Sequence, residues 1–174
     1  MILRNLGIDP SKNGGAVIIS SNLKPELDFW CYWSPVSGGY KVSIPGEILY
    51  LRDLSELSRY FGEVSSAAVE ALFVGPARQT IIGTAETAGA LIAAASESLL
   101  DRGQAILRPP ASRWRSGLLR LPGGTTAAQA DKYARKVIEQ LMPDSQAWKS
   151  GHAVDAACIA LWCAGVRGRA AHSK

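Results

Sequence analysis

Residues 2–19 read ILRNLGIDPSKNGGAVII, two apolar runs that flank a polar, glycine-containing segment. The first run, residues 2–8, is typical of a β-strand and is followed at once by the carboxylate of Asp9. The Asn-Gly-Gly sequence at 13–15 provides the backbone freedom of a tight turn, so the second run is predicted to return as an antiparallel strand. The aromatic run at 27–33 predicts a third strand. The chain is therefore expected to open with an antiparallel meander.

The remaining elements are predicted from the period of the apolar residues. Two further strands are expected at residues 66–72 and 104–107. Helices are expected at residues 48–61, 80–100, about 126–141 and 152–164, and a loop at 37–45. Together these elements predict an α/β fold with a mixed five-stranded sheet, a three-strand antiparallel meander plus parallel strands, flanked by helices. We expect one domain over residues 1–174, with a short basic tail from about residue 166.

The composition is that of a globular protein with a basic balance. Of the 174 residues, 47% are hydrophobic and 20% are charged, which is typical of a folded domain. No stretch approaches the roughly 20 apolar residues that cross a membrane, and the N-terminus lacks a secretory signal pattern, so a cytoplasmic location is expected. Three cysteines without metal-site spacing are expected to be reduced, buried thiols: Cys31, Cys158 and Cys163. The net charge of +4 and the pI of about 9.1 favour a polyanionic partner.

Four potential metal ligands lie in three separated segments: Asp9, Glu70, His152 and Asp155. Glu70 interrupts an apolar run that is suited to a buried strand, where an unpaired carboxylate is costly. His152 and Asp155 are three residues apart on a predicted helix, so they share one face. If the strands of Asp9 and Glu70 are neighbours, both carboxylates emerge at the same edge of the sheet. Because carboxylate and imidazole ligands suit Mg²⁺ or Mn²⁺, the four residues predict a metal-dependent nuclease site.

Each of these residues also has a purely structural interpretation. Asp9 would serve equally as the cap of the turn that follows its strand. Asp155 is an acid near the start of a helix, where the helix dipole favours negative charge. His152 would serve as an ordinary polar residue at the helix start. The joint occurrence of all four favours the functional interpretation.

Three motifs contain these residues: LGIDP at 6–10 with GGAV at 14–17, VEALF at 69–73, and HAVDAA at 152–157. Their order and spacing resemble those of the RuvC family of Holliday-junction resolvases, within the RNase H-like superfamily. Between them, PPASRWR at 109–115 resembles the Pro-x-x-Trp-Lys segment of phage-type members, with Arg115 where those members often have Lys. Ser11 stands where the family usually has Gly. The likeness extends over nearly the whole chain.

The resemblance implies a crossover junction endodeoxyribonuclease of DNA recombination and repair, acting as a homodimer that cuts symmetric strands. Two Mg²⁺ or Mn²⁺ ions per site would be held by Asp9, Glu70, His152 and Asp155, with Asp9 bridging them, and hydrolysis would leave a 5′-phosphate and a 3′-hydroxyl. Phe73 resembles the aromatic residue that stacks on an unpaired base, although a core position is equally open. No small-molecule cofactor and no membrane partner are expected. Phosphate contacts are expected from seven basic residues: Lys12, Arg78, Arg113, Arg115, Lys132, Arg135 and Lys136.

Several assignments stay open at this stage. The basic residue that the family places before its final helix is assigned to Lys132, with Arg135 and Lys136 as rivals. An RNase H-like nuclease for other branched or RNA-containing substrates would carry the same acids. A non-catalytic junction-binding relative is a further alternative. Actin-like ATPases and sugar kinases also begin with Gly-Ile-Asp, but they need a second half-domain that 174 residues do not accommodate.

Overall fold

A single mixed sheet forms the centre of the computed structural model, which describes residues 3–11, 13–21, 26–72, 78–143 and 146–165. Its strands are β1 (Arg4–Asp9), β2 (Gly15–Ser21), β3 (Leu27–Val36), β4 (Gly39–Ile44), β5 (Glu47–Leu51) and β6 (Ser66–Val69). Their order across the sheet is β5-β4-β3-β2-β1-β6. Strand β6 pairs with β1 in parallel, whereas every other neighbouring pair is antiparallel. The predicted fold class, a mixed sheet flanked by helices, is confirmed.

The helices cover both faces of this sheet. They are α1 (Ser58–Phe61), α2 (Arg78–Ser98), α3 (Ala111–Leu119), α4 (Ala127–Leu141) and α5 (Gly151–Cys163), with short 3₁₀ turns at Leu54–Leu57 and Ala147–Lys149. One core cluster joins Leu6 and Ile8 of β1 to Leu91 of α2. The other joins Ala16 of β2 to α3, α4 and α5. In the part of the chain that the structure describes, no helix is long and apolar enough to cross a membrane.

Helix α5 lies directly against β1 because Gly7 has no side chain. A Cβ atom at Gly7 would overlap the carbonyl oxygen of Ala156 and the backbone nitrogen of Ala160, both in α5. Side chains alternate between the two faces of a strand, so Asp9 points to the same face as Gly7. The close contact at Gly7 therefore brings the start of α5 towards Asp9.

The sheet has six strands rather than the five expected from the sequence. Residues 37–45 are predicted as a loop, but β4 and β5 form a hairpin over residues 39–51, with Gly46 at a φ of 77° in its turn. The helix predicted at 48–61 is therefore wrong at its start and right from Leu54 to Phe61, where the first 3₁₀ turn and α1 lie. The apolar steps that suggested a helix began at Ile48, whose side chain is 54% exposed in β5. Leu49 and Leu51 are two residues apart and both point to the core. The apolar side chains of this segment therefore have the two-residue period of a strand.

The predicted strand at 104–107 was also wrong, because only an isolated parallel bridge joins Leu107 to Ala68. Leu107 donates its backbone N–H to Ala67 and accepts one from Val69, at 3.0 and 2.9 Å. The two prolines at 109–110 lack the N–H groups that would extend the ladder.

Three of the four predicted helices match α2, α4 and α5 within a few residues, whereas α3 was not predicted. Helix α3 follows two prolines, and its buried residues are confined to Trp114, Leu118 and Leu119. All three cysteines are free thiols, two of them buried and Cys163 partly exposed. The basic tail from about residue 166 lies outside the described residues.

Candidate active site

Strand pairing brings Asp9 and Glu70 to the same edge of the sheet. Asp9 is the last residue of β1, and Glu70 directly follows β6. Ile8 and Val69 are register partners in the parallel ladder, and the N–H of Glu70 donates to the carbonyl of Ile8 at 3.0 Å. The sequence-based condition for convergence, that these two strands are neighbours, is therefore met.

Helix α5 adds His152 and Asp155 at the same edge. His152 lies in the first turn of α5, and its Nδ1 is 2.6 Å from Asp9 Oδ2. Asp155 follows about one helical turn later, and its side chain is 25% exposed. The hydrogen bond with Asp9 raises the pKa of His152, and the negative charges of Asp9, Asp155 and Glu70 act in the same direction. Two strands and one helix thus contribute to one group of ionisable side chains.

The carboxylates of this group are crowded and poorly hydrated. Burial, and then the charge of Asp9, raise the pKa of Asp155 to about 7. The same two causes, in the same order, raise the pKa of Glu70. Carboxylates that repel one another away from water are stabilised by protonation or by a bound cation. The electrostatics therefore favour a positively charged ligand at this edge of the sheet.

Two residues of α3 complete the surroundings of the acids. Trp114 is fully buried, and its indole Nε1 donates to Glu70 Oε2 at 2.9 Å. Arg115 Nη2 lies 3.6 Å from Asp155 Oδ2 and 3.1 Å from Asp131 Oδ1 on α4. The Arg115 guanidinium also lies over the Trp114 ring, 5.0 Å from its centroid. The sequence analysis gave no role to Trp114 and did not single out Asp131. The one available signal was the position of Trp114 next to a basic residue, after two prolines.

The donor chemistry of the three acids and one imidazole fits Mg²⁺ or Mn²⁺, which prefer carboxylate oxygens and tolerate imidazole. Among the residues that the structure describes, however, no group of three or more His, Cys, Asp or Glu side chains is arranged to hold a metal ion. The side chains are engaged with neighbours instead: His152 with Asp9, Trp114 with Glu70, and Arg115 with Asp155. The predicted metal ligands are thus brought to one region, and their joint coordination of metal stays a prediction.

A cavity of about 520 Å³ opens beside these residues, between α4 and the start of α5. It is lined by Asp131, Lys132, Arg135, Gly151, His152, Val154 and Asp155. Of the three candidates for the basic residue near the site, Lys132 and Arg135 line this cavity and Lys136 does not. Arg135 is held by the carbonyl of Trp148, to which its Nη1 donates at 2.6 Å. The cavity therefore has positive charge on α4 facing the His152–Asp155 pair.

The other predicted DNA contacts are distributed as follows. Arg113 is exposed on α3. Lys12 and Phe73 lie outside the described residues, and Arg78 begins α2 with its side chain outside them. The roles predicted for these residues stay predictions.

The fold is a mixed sheet flanked by helices, and it places acidic residues at the ends of the adjacent parallel strands β1 and β6 and on α5. Two solved structures are similar to the chain along most of its length. RuvC of T. thermophilus in complex with a Holliday junction substrate is 17% identical, with a TM-score of 0.58 over 91% of this chain and 90% of that one. A second Thermus thermophilus RuvC structure is 18% identical, with a TM-score of 0.54 over 92% of each chain.

At this identity the likeness to RuvC concerns the fold. The predicted resemblance to RuvC resolvases is confirmed at that level, whereas the phage-type assignment stays a prediction. No family model matches the chain, and no curated protein sequence matches it.

Proposed function

We propose that this protein is a structure-specific endonuclease that resolves four-way DNA junctions by divalent-metal-dependent hydrolysis. The observation that carries the proposal is the convergence of four side chains from β1, β6 and α5 at one edge of a RuvC-like sheet: Asp9, Glu70, His152 and Asp155. The T. thermophilus RuvC bound to a Holliday junction substrate has the same fold, which favours branched DNA as the substrate.

The acids Asp9, Glu70 and Asp155 would hold two Mg²⁺ or Mn²⁺ ions. When bound, such ions activate a water molecule and stabilise the leaving oxygen of a phosphodiester. His152 would coordinate a cation or orient the water molecule. Because its Nδ1 faces Asp9, the nitrogen available for the water is Nε2. A 5′-phosphate and a 3′-hydroxyl would result.

The substrate strand would enter the cavity between α4 and α5. Lys132 and Arg135 on its wall would pair with phosphates next to the scissile bond, with Lys132 as the basic residue nearest to the chemistry. More distant phosphates would be bound by the remaining basic residues of the predicted set: Lys12, Arg78, Arg113, Arg115 and Lys136. Phe73 would stack on an unpaired base near the crossover.

Paired incision would require two copies of the chain. Helix α2 has an uncovered side that suits such a contact, because Ile82 is 51% exposed and a side chain at Gly89 would meet open space. Small residues such as Gly89 allow close approach of a second helix. We infer a homodimer in which α2 lies near the interface.

The experiment that tests the function compares nicking of a synthetic four-way junction with nicking of linear duplex, in EDTA and with Mg²⁺ or Mn²⁺. We expect the junction to be cut in the presence of metal and the linear duplex to be spared. Asp9→Asn, Glu70→Gln and Asp155→Asn should each abolish cutting while junction binding persists, because each removes a charge with little change of shape. Asp101→Asn, in an exposed loop, is the matched control.

Four outcomes would contradict the proposal in different ways. Undiminished cutting in EDTA would exclude metal dependence. Near-normal turnover of one acid variant would remove that residue from the site. Junction binding without cutting under any metal condition would identify a non-catalytic binding protein, whereas faster cutting of RNA-containing or other branched substrates would reassign the substrate.

A further inference from the structure

We propose that α3 organises the candidate site through two adjacent residues, with the Trp114 indole fixing the Glu70 carboxylate and the Arg115 guanidinium holding Asp155 until a cation binds. The proposal rests on the metal-dependent function inferred above. Trp114 contacts no substrate in that mechanism, and Arg115 was given a contact with a distant phosphate; both are here assigned the further role of positioning the acids.

Trp114 contacts Glu70 through a single hydrogen bond. A buried indole N–H needs an acceptor, and here the acceptor is one carboxylate oxygen, Glu70 Oε2, at 2.9 Å. The backbone of Glu70 is fixed as well, through its N–H to the carbonyl of Ile8. With one oxygen committed to the indole, the carboxylate has a defined orientation, and Oε1 is left for a cation. Hydrogen bonds of this kind orient the ligands of metal sites.

The indole itself is held by packing. Trp114 is 0% exposed and belongs to the core cluster that joins α3 to α4 and α5. Helix α3 approaches α5 closely, because a Cβ atom at Gly117 would lie 3.1 Å from the Trp162 ring. The direction of the Trp114 N–H is therefore determined by the core of the protein and not by the acids alone.

Arg115 lies between the candidate site and the solvent. Its guanidinium joins three helices, through the Trp114 ring on α3, Asp131 on α4 and Asp155 on α5. The Asp131 side chain is 62% exposed and the Asp155 side chain 25%. Arg115 thus has a solvent-side partner at 3.1 Å and a site-side partner at 3.6 Å. Asp155 would thus be able to hold a metal ion while Arg115 kept its contact with Asp131.

A matched pair of tryptophan variants tests whether Trp114 positions Glu70. Trp114→Phe keeps an aromatic ring and removes the N–H that reaches Glu70. Trp148→Phe does the same in the same core cluster, but Trp148 Nε1 donates to the carbonyl of Met142 at 2.8 Å, away from the acids. We expect Trp114→Phe to weaken Mn²⁺ binding, measured by calorimetry on the free protein, by roughly 10- to 100-fold. Trp148→Phe should leave Mn²⁺ affinity unchanged, and equal affinity in both variants would refute the positioning role of Trp114.

Indole NMR keeps this test informative even if Trp114→Phe does not fold. The five tryptophans give up to five indole N–H signals in the ¹⁵N-labelled wild-type protein. Glu70→Gln should shift one of these signals. Titration of the wild-type protein with Mg²⁺, in the absence of Mn²⁺, should shift the same signal. The absence of any indole response to Glu70→Gln would overturn the proposal.

A matched pair of arginine variants tests whether Arg115 holds Asp155 in the absence of metal. Arg115→Met removes the charge that holds Asp155, so we expect a lower Tm in EDTA and a larger rise of Tm with Mg²⁺ than in the wild type. Arg59→Met removes an exposed ion pair with Glu56 and should show the wild-type rise. A rise in Arg115→Met no larger than in the wild type would refute the role of Arg115.

These measurements separate the inference from the proposed function. Calorimetry, NMR and melting need no cleavage. If the wild type cuts junctions and Trp114→Phe binds Mn²⁺ normally, the positioning role is wrong and the function stands. If the wild type never cuts but Trp114→Phe selectively loses Mn²⁺, the function is wrong and the positioning role stands.

Discussion

Asp155→Asn should stabilise the metal-free protein at alkaline pH, the reverse of the usual effect of changing a buried residue. Burial and the charge of Asp9 raise the pKa of the Asp155 carboxyl from 3.8 to about 7. Between these two values the folded chain keeps a proton that the unfolded chain releases, so the free energy of unfolding falls as pH rises. A difference of about three pKa units corresponds to a loss of roughly 4 kcal/mol above pH 7. Asparagine has nearly the same shape and no charge to desolvate.

The measurement is urea denaturation of wild type and Asp155→Asn at several pH values between 4 and 8, in EDTA. The two proteins should have similar stability near pH 4, and the variant should gain steadily up to pH 8. The raised pKa values of Glu70 and His152 give slopes of the same sign in both proteins. Asp155→Asn also removes the contribution of the Asp155 charge to the pKa of His152, which acts in the same direction as the loss of the carboxyl itself. Mg²⁺ should reverse the ranking, because only the wild type retains all the acids that bind it.

The control is Asp131→Asn, which removes the exposed partner of Arg115 and should change the pH slope little. Parallel stability curves for the wild type and Asp155→Asn, or a variant that is less stable at pH 8 in EDTA, would refute the electrostatic argument. Either result would mean that contacts of Asp155 in the folded state outweigh its burial.

Three further predictions concern other parts of the molecule. Burial raises the pKa of Cys31 to about 12, so Cys31 should resist alkylation in the native protein at pH 8 while the partly exposed Cys163 reacts first, as mass spectrometry of labelled peptides would show. Phe61→Ala should lower the free energy of unfolding by roughly 3–5 kcal/mol, since Phe61 is fully buried, whereas Phe73→Ala should mainly weaken junction binding. Denaturation and a junction-binding assay on both variants decide between these roles, and a large stability loss in Phe73→Ala would place that ring in the core. Sedimentation at micromolar concentration should give about twice the chain mass of 18.5 kDa, and a strict monomer both free and on DNA would contradict paired incision.

The acids could be predicted from the sequence because their positions follow from local patterns. Asp9 and Glu70 each follow a short apolar run, and such runs form buried strands. His152 and Asp155 are spaced for one helical face, which is a local property too. The convergence of Asp9 and Glu70 needed only that β1 and β6 be neighbours, the arrangement that the fold adopts.

The features that the sequence did not predict depend on contacts between distant segments. Trp114 meets Glu70 across 44 residues of chain, and no local pattern encodes that hydrogen bond. The hairpin of β4 and β5 was mistaken for a loop and a helix start, because Ile48 and Leu51 have a helical spacing as well as places in a strand. The pairing of β4 with β3 is a tertiary contact, and it decides between the two structures.

The contact of Gly7 with α5 makes the spacing of the acids depend on a position that has no functional group. Asp9 belongs to the sheet layer and His152 and Asp155 to the helix layer, so the thickness between the layers sets how closely these side chains approach. One methyl group at position 7 would push α5 outward through the backbone at Ala156, only one residue beyond Asp155. Loss of activity in a variant library would then appear at a glycine, with every ionisable residue intact. Any redesign of the site would have to keep this helix-to-sheet distance before choosing new ligands.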